Sequence, residues 1–505
     1  MQIRIRILNE VYVVVLDLLP EHVDYFYEKY AVHAPNYFFN PRYKLGQWDG
    51  KIRFFHKTGK TYLYLLEDLL PRIVNLGYKV VLEDLRDNVL VAADEIDADL
   101  FNAVKHPDTG EATVLREHQV AAVNSLIREG FGTVIASTGS GKTLMCAALC
   151  YQYDKFGLKS LTIVPNKDLI RQTRQTYIHY GLDTGEYSGE RKTLGHQHVV
   201  STWQALKNAP EVITMFNIVI VDEAHGLKGN VLSTILTDHA AKVPYRFGFT
   251  GTLPKDKSDA WAVHVAVGPV RYQVPAFELI EKGLLAKINI DVVQLTEDLT
   301  EEYDQFIADT PNIPNNEQPT YAEFKEGYFP DFTAEKSYLQ HKEDRITYLA
   351  QYIEAKRDAK RGNVLCLIDN IAFGRKLAAE INGAIFVNGK DVRSTKERKQ
   401  IYDLFASHDD LVVIATVHIA GTGIDIHRIF NLMLIDIGKS FIRVIQAIGR
   451  GLRMAEDKDS VHISDLTSDL KYSRKHMRER IKFYKEAQYP HKLHKINYSK
   501  LVLED

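Results

Sequence analysis

The stretch GTVIASTGSGKTLMCAALCYQY, residues 132–153, passes from a short β-branched run through a turn of glycines and small hydroxyl residues into an apolar, helix-favouring segment. A strand that ends in such a turn and continues as a helix is the first step of a right-handed strand–helix–strand crossover, which sets strands side by side in parallel. Runs of the same kind follow at SLTIVPN (160–166), FNIVIVDEAH (216–225), YRFGFTGT (245–252), NVLCLIDN (363–370) and LVVIATVH (411–418). Runs that are apolar on both faces belong in central strands of a sheet covered by helices. The fold class is therefore α/β with doubly wound parallel sheets, and the polar residue closing each run marks the strand end where ligands bind.

The opening turn carries chemistry of its own. Ala136, Ser137, Thr138, Gly139, Ser140, Gly141, Lys142 and Thr143 fit the pattern GxxxxGK[ST] except that Ala136 takes the first position. Glycines are needed because backbone N–H groups must curl around phosphate oxygens, and the helix N-terminus that follows adds a favourable dipole. Lys142 is expected to reach the β- and γ-phosphates of ATP, and Thr143 to ligate Mg²⁺. Downstream, an apolar run ends in Asp222 and Glu223. Asp222 is assigned to the Mg²⁺ shell and Glu223 to orienting and deprotonating the attacking water. Adjacent carboxylates repel, and a cation makes the pair tolerable. In a second α/β segment Arg450 and Arg453 stand at i and i+3 on one helix face, and their planar guanidinium groups suit charge developing on a transferring phosphoryl group. Because they lie far from Lys142 in sequence, ATP is expected between two lobes. Each motif has a bland alternative: a turn that binds nothing, an acidic pair capping a helix, a solvated basic face. Their joint occurrence at strand ends favours the nucleotide site.

Composition narrows the class. A chain of 505 residues suggests about three domains. With 45% hydrophobic and 26% charged residues it is ordinary globular usage, not a disordered, collagen-like or coiled-coil chain. The net charge of −3 shows no bulk attraction to a polyanion, so any nucleic-acid surface must be local. Three cysteines, Cys146, Cys150 and Cys366, form no CxxC pair, which favours a reducing compartment and no structural zinc. The alternation Ile3, Ile5, Ile7 reads as a strand rather than a signal peptide. Nowhere do 18 consecutive apolar residues occur, so no helical membrane span is expected. Between 297 and 336, eleven acidic residues face only Lys325 and Lys336. This stretch is expected to be a solvated surface insertion, with a site for a protein partner as the alternative.

Taken in order, the motifs resemble those of superfamily 2 helicases. LREHQ (115–119) resembles the Q motif, ASTGSGKT motif I, VPNKDLIRQ (164–172) motif Ia, DEAH (222–225) motif II and TGT (250–252) motif III, where Gly251 replaces the usual alanine. STWQAL (201–206) resembles a DNA-contacting motif, NVLCLIDN motif IV, ATVHIAGTGIDI (415–426) motif V and QAIGRGLR (446–453) motif VI. Within the superfamily, NYFFNPRYKLGQWDGKIRFF (36–55) is similar to the phage UvsW type, related to XPB- and RecG-type remodellers.

The resemblance implies two RecA-like lobes with a small N-terminal α+β accessory domain, divided as 1–108 (DNA-binding accessory), 109–290 (ATP-binding lobe), 291–470 (C-terminal lobe with the acidic insertion 297–336) and 471–505 (basic helical tail). It implies that Arg116 and Gln119 contact the adenine side of the nucleotide, that Gly423 and Asp425 join the nucleotide site, and that Gln446 acts with Arg450 and Arg453. It further implies ATP-driven remodelling of forks, Holliday junctions, D-loops and R-loops in recombination, repair and replication, in the cytoplasm, or the host cytoplasm if the chain is phage-encoded. A restriction or nuclease motor subunit and an ATP-gated binding module are the alternatives.

The partner is expected to be duplex, forked or branched DNA without sequence specificity, with RNA encountered in R-loops. Residues 36–64 hold six basic residues against Asp49 alone, interleaved with aromatics. Trp48, Lys51 and Arg53 are taken as contacts there, basic groups for phosphates and rings for unpaired bases. Lys167, Thr202 and Thr416 occupy motif positions that meet the phosphate backbone. The stretch KYSRKHMRERIKFYKE (471–486) reads equally as a duplex contact or a solvated helix.

Overall fold

The computed structural model describes residues 1–500 apart from 88–89, 108, 229, 255, 315, 359–361, 389–403, 405–406, 418–428 and 439–459. The chain divides into two units, Met1–Val274 and Pro275–Asp505. In the first, seven described strands run in the order Val270–Val274, Phe131–Ala136, Tyr245–Thr250, Ile218–Asp222, Ser160–Val164, His198–Thr202 and Thr184–Tyr187, every neighbouring pair parallel. The apolar runs are the central strands, as their two-faced hydrophobicity requires. Because Phe131–Ala136 and Ile218–Asp222 flank Tyr245–Thr250, the phosphate loop, the carboxylate pair and the TGT segment all leave the same edge of the sheet. Arg246 is fully buried and donates to the carbonyl oxygens of Ala266, Ala240 and Leu236 at 2.8, 2.6 and 2.6 Å, which ties the base of the TGT strand to its covering helices.

The N-terminal region is α+β. Strands Lys60–Tyr62, Tyr12–Leu16, Gln2–Ile7 and Lys79–Asp84 form a mixed sheet under helices Pro20–Lys29 and Leu66–Asn75. Ile3, Ile5 and Ile7 are buried on one face, the alternation a one-sided strand dictates. This sheet shares its apolar core with Trp261 and Val265 of the helix Lys257–Val267, so within the first unit the N-terminal sheet and the seven-stranded sheet with its helices are packed as one body.

The second unit repeats the architecture. Its seven described strands run Ile385–Val387, Val412–Thr416, Val364–Ile368, Asn431–Ile435, Ser460–Ser468, Lys287–Leu295, His491–Ile496, again all parallel. Lys287–Leu295 runs across the expected boundary at 290/291. Residues 471–496 are not an appended tail. The helix Lys471–Glu486 sends Met477 and Tyr484 into the core, and His491–Ile496 completes the sheet.

The acidic stretch is exposed over most of its carboxylates but also builds a small core of its own. Helices Thr300–Asp309, Tyr321–Gly327 and Phe332–His341 close on Leu299, Phe324, Phe329, Leu339 and Leu470. Glu297 is only 1% exposed and accepts hydrogen bonds from Arg345 at 3.0 Å and the Tyr498 hydroxyl at 2.6 Å. Glu335, fully buried, accepts from the backbone N–H groups of Tyr472 and Ser473 at 2.8 and 2.6 Å, which satisfies the open N-terminus of the helix Lys471–Glu486. Of the acids in this stretch, Glu297 and Glu335 are thus internal ligands, while Asp298, Glu301, Asp304, Asp309, Glu317, Glu323, Glu326 and Asp331 are exposed as the sequence leads one to expect.

Candidate active site

The strand Phe131–Ala136 releases the chain into a loop that Gly139 and Gly141 turn with φ of 85° and 87°, a conformation only glycine adopts without cost. Helix Lys142–Asp154 begins immediately after. At Gly141 a Cβ would lie 2.2 Å from the Gln119 side-chain nitrogen. Gln119 is fixed there by donating to the Ser140 carbonyl at 2.9 Å and accepting from the Arg116 backbone N–H at 2.9 Å. His118 Nε2 meets the same carbonyl at 2.9 Å. The LREHQ segment therefore braces the phosphate loop from behind, and the Gln119 amide is engaged by the loop itself.

The Lys142 ammonium donates to the Ala136 carbonyl at 3.2 Å and stands 4.0 Å from Glu223 Oε1. Both side chains are largely withdrawn from water, 10% and 14% exposed. Glu223 follows the strand end with φ of 55°, and its N–H donates to Asp222 Oδ1 at 3.0 Å. A non-glycine residue in that region costs on the order of 1–3 kcal/mol and clusters at functional sites. His225 Nδ1 lies 3.2 Å from Glu223 Oε2 and 3.0 Å from the Thr250 hydroxyl, and that hydroxyl donates to the Thr252 carbonyl at 2.8 Å. A continuous polar chain thus links the carboxylate to the TGT segment.

The donor set fits a nucleotide polyphosphate with a divalent cation. Among the described residues the Ser137 and Ser140 hydroxyls are buried without a hydrogen-bond partner, an arrangement that is costly unless a ligand supplies one. Around them the loop presents backbone amides, Lys142, the Thr143 hydroxyl and Asp222, the hard oxygen ligands a divalent cation prefers.

The residues expected to touch DNA are placed differently. Lys51 donates to Glu28 at 2.7 Å. Arg53 pairs with Asp49 and with Glu28, the latter at 3.0 Å, and lies 4.2 Å over the Tyr27 ring. Its guanidinium holds the Asp49 carboxyl down at about 2. The Trp48 indole N–H donates to the Lys51 carbonyl at 3.0 Å. Lys167 is exposed and bonds Glu190 at 2.7 Å. Thr202, a helix cap to Ala205 N–H, and Thr416 are each 5% exposed. Gly423, Asp425, Gln446, Arg450 and Arg453 lie outside the described residues.

Comparison with known proteins agrees with this arrangement. Residues 112–255 match the model of the type III restriction enzyme res subunit, residues 10–83 that of the DNA helicase UvsW N-terminal region, and residues 340–455 the helicase conserved C-terminal domain. The chain is 23% identical over 453 residues to the ATP-dependent DNA helicase uvsW of Enterobacteria phage T4, covering 86% of this chain and 85% of that one. It is 25% identical over 405 residues to the DNA 3'-5' helicase XPB of Kineococcus radiotolerans, covering 75% of this chain and 64% of that one. A fragment of a putative HsdR subunit of a type I restriction enzyme from Vibrio vulnificus has the same fold, with a TM-score of 0.55 at 17% identity over 89% of this chain and 78% of its own. The chain belongs to the superfamily 2 helicases, and its N-terminal region to the UvsW type.

Proposed function

We propose that the protein is an ATP-dependent motor that moves on duplex DNA and reshapes branched structures: forks, four-way junctions, D-loops and R-loops. The protein is an ATP-dependent DNA helicase or translocase, and its partner is DNA. The branched substrate, the Mg²⁺ requirement, the tolerance of RNA within R-loops and action in the cytoplasm are the proposal. The observation that carries it is the Lys142–Glu223 pair at 4.0 Å at the mouth of a glycine-turned loop, joined through His225 to Thr250.

In this reading the loop amides of residues 137–141 and Lys142 bind the β- and γ-phosphates, with Thr143 and Asp222 as ligands for Mg²⁺. Bound there, the ion neutralises charge on the transferring phosphoryl group. Glu223 orients water and accepts its proton. His225, hydrogen-bonded to Thr250 and 3.2 Å from Glu223 Oε2, relays the state of the carboxylate to residues 250–252. Gln446, Arg450 and Arg453 complete charge stabilisation from the second lobe, with Gly423 and Asp425 beside the nucleotide and Arg116 and Gln119 on its adenine side. The accessory region 1–108 selects branched DNA ahead of the lobes 109–290 and 291–470; Trp48, Lys51 and Arg53 are its proposed nucleic-acid contacts, and Lys167, Thr202 and Thr416 those of the lobes.

An unwinding and branch-migration assay over duplex, forked, four-way and R-loop substrates tests the reading. ATP-dependent remodelling of the branched members is expected. Activity confined to single-stranded RNA or simple RNA duplexes would overturn it. The match to a restriction-enzyme subunit favours one second reading, a motor subunit of a restriction complex, and cleavage of duplex DNA by the purified protein would select it.

A further inference from the structure

The helix Lys471–Glu486 has two unlike faces. Ser473, His476, Met477, Arg480 and Tyr484 are buried. At about 100° per residue the opposite side carries Lys471, Lys475, Arg478, Lys482 and Lys485, all exposed. Their spacing of three and four residues gathers them into a single stripe, roughly 21 Å long at about 1.5 Å per residue. Among the described residues, Lys471, Lys475, Arg478 and Lys485 have no carboxylate partner, and Lys482 has only the i,i+4 neighbour Glu486 at 3.9 Å. Two exposed acids, Glu479 and Glu486, border the stripe. Arg474, off its edge, is spent on Glu326.

The contrast with the N-terminal basic segment decides where unspent charge lies. There, Lys51 and Arg53 are already neutralised by Glu28 and Asp49. On the C-terminal helix the nearby acids serve other ends: Glu335 caps the helix N-terminus and Asp465 pairs with the buried Arg480. A row of uncompensated cations this long is costly through self-repulsion, and a polyanion relieves it. One strand of duplex DNA presents a phosphate about every 3.4 Å of axis, so about six phosphates fall within the length of the stripe.

We propose that the stripe Lys471, Lys475, Arg478, Lys482, Lys485 is a contact surface for the phosphate backbone of duplex DNA. It deepens and rests on the reading of the protein as a DNA motor. Contacts of this kind hold the duplex without reading its sequence. They contribute through counterion release, which gives them a signature in the salt dependence of binding.

The test is fluorescence anisotropy of a labelled 30-base-pair duplex titrated with full-length protein over a range of NaCl concentrations. The K475Q/R478Q/K482Q variant is compared with the wild type. Three lost phosphate contacts are expected to flatten the slope of log affinity against log salt by about 2.7, so that a fourfold rise in salt costs the wild type about fortyfold more affinity than the variant. A second variant, Glu479→Gln, removes one of the acids bordering the stripe and is expected to tighten binding, which guards against a misfolded triple variant. Equal slopes for wild type and triple variant, with no tightening in Glu479→Gln, would overturn the proposal while DNA-stimulated ATP hydrolysis by the wild type leaves the motor reading standing. Absence of that stimulation would remove the motor reading itself.

Discussion

Replacing Arg345 with methionine removes the cation that joins the start of the acidic segment to the end of a central strand. Its guanidinium makes three charged hydrogen bonds, to Glu297 at 3.0 Å and to the two oxygens of Asp436 at 2.8 and 2.9 Å. The carboxylates it satisfies are 1% and 6% exposed, and Asp436 sits at a φ of 49°, a backbone conformation that the contact helps to hold. Breaking a buried pair by removing one partner costs about 3–5 kcal/mol, because an uncompensated charge stays behind. Lys342 at 3.6 Å and the Tyr498 hydroxyl still support Glu297, so most of the loss falls on Asp436. Native-state hydrogen exchange reads it directly. Amides of Asn431–Ile435 are expected to lose protection by about a hundredfold to several thousandfold, while those of Phe131–Ala136 in the first unit are unchanged. Burial already holds the Glu297 carboxyl above its ordinary range, and Arg345 opposes that rise. Without Arg345 the carboxyl rises further, so the deficit is expected to shrink as pH falls and the acid takes up a proton. A loss below about 1 kcal/mol, or an equal loss in Phe131–Ala136, would refute the reasoning about a buried uncompensated charge.

Three further outcomes follow from the first unit. Burial lowers the pKa of His198 and His264. The unfolded chain therefore takes up protons near pH 6.5 that the folded chain does not, and stability falls as pH drops through that value, by up to about 1.4 kcal/mol per group and pH unit; urea unfolding at pH 7.5 and 5.5 checks it, and His198→Gln should lessen the difference. Gly141→Ala places a methyl 2.2 Å from the anchored Gln119 nitrogen at a φ of 87°, with a backbone cost of about 1–2 kcal/mol. Nucleotide affinity measured by calorimetry should drop at least severalfold, and unaltered affinity would show that the loop yields freely. Glu28→Gln frees Lys51 and one bond of Arg53, so duplex binding should tighten and its salt slope steepen by about one contact if this face meets DNA; an unchanged binding curve removes these residues from the interface.

Both sheets and the phosphate loop are legible in the sequence because their signals are local: an apolar run, a glycine turn, a helix start. Asp222 and Glu223 are legible for the same reason, as the polar end of FNIVIVDEAH. What escapes the sequence depends on distant partners. Glu28 lies outside the basic window yet neutralises Lys51 and Arg53 across the hairpin of Ala31–His33 and Lys51–Arg53. Glu297 counts as one more surface acid until Arg345, 48 residues on, draws it inside. The helix 471–486 shows its stripe in the sequence, but its place in the core follows from His491–Ile496 pairing with Lys287–Leu295, a contact that no periodicity encodes. Thr202 and Thr416 fit their motifs, and the parallel sheets bury them at strand ends.

The central claim is that Glu223 takes a proton from water in a nucleotide site whose turnover is coupled to DNA. The most direct measurement is steady-state ATP hydrolysis by wild type and Glu223→Gln, each with and without four-way junction DNA, beside their affinities for the same DNA. Wild-type turnover is expected to rise when DNA is added, and the variant to lose both basal and stimulated turnover, by at least about a hundredfold, with DNA affinity within about twofold of wild type. Wild-type turnover in the variant, or hydrolysis indifferent to DNA in the wild type, would contradict it.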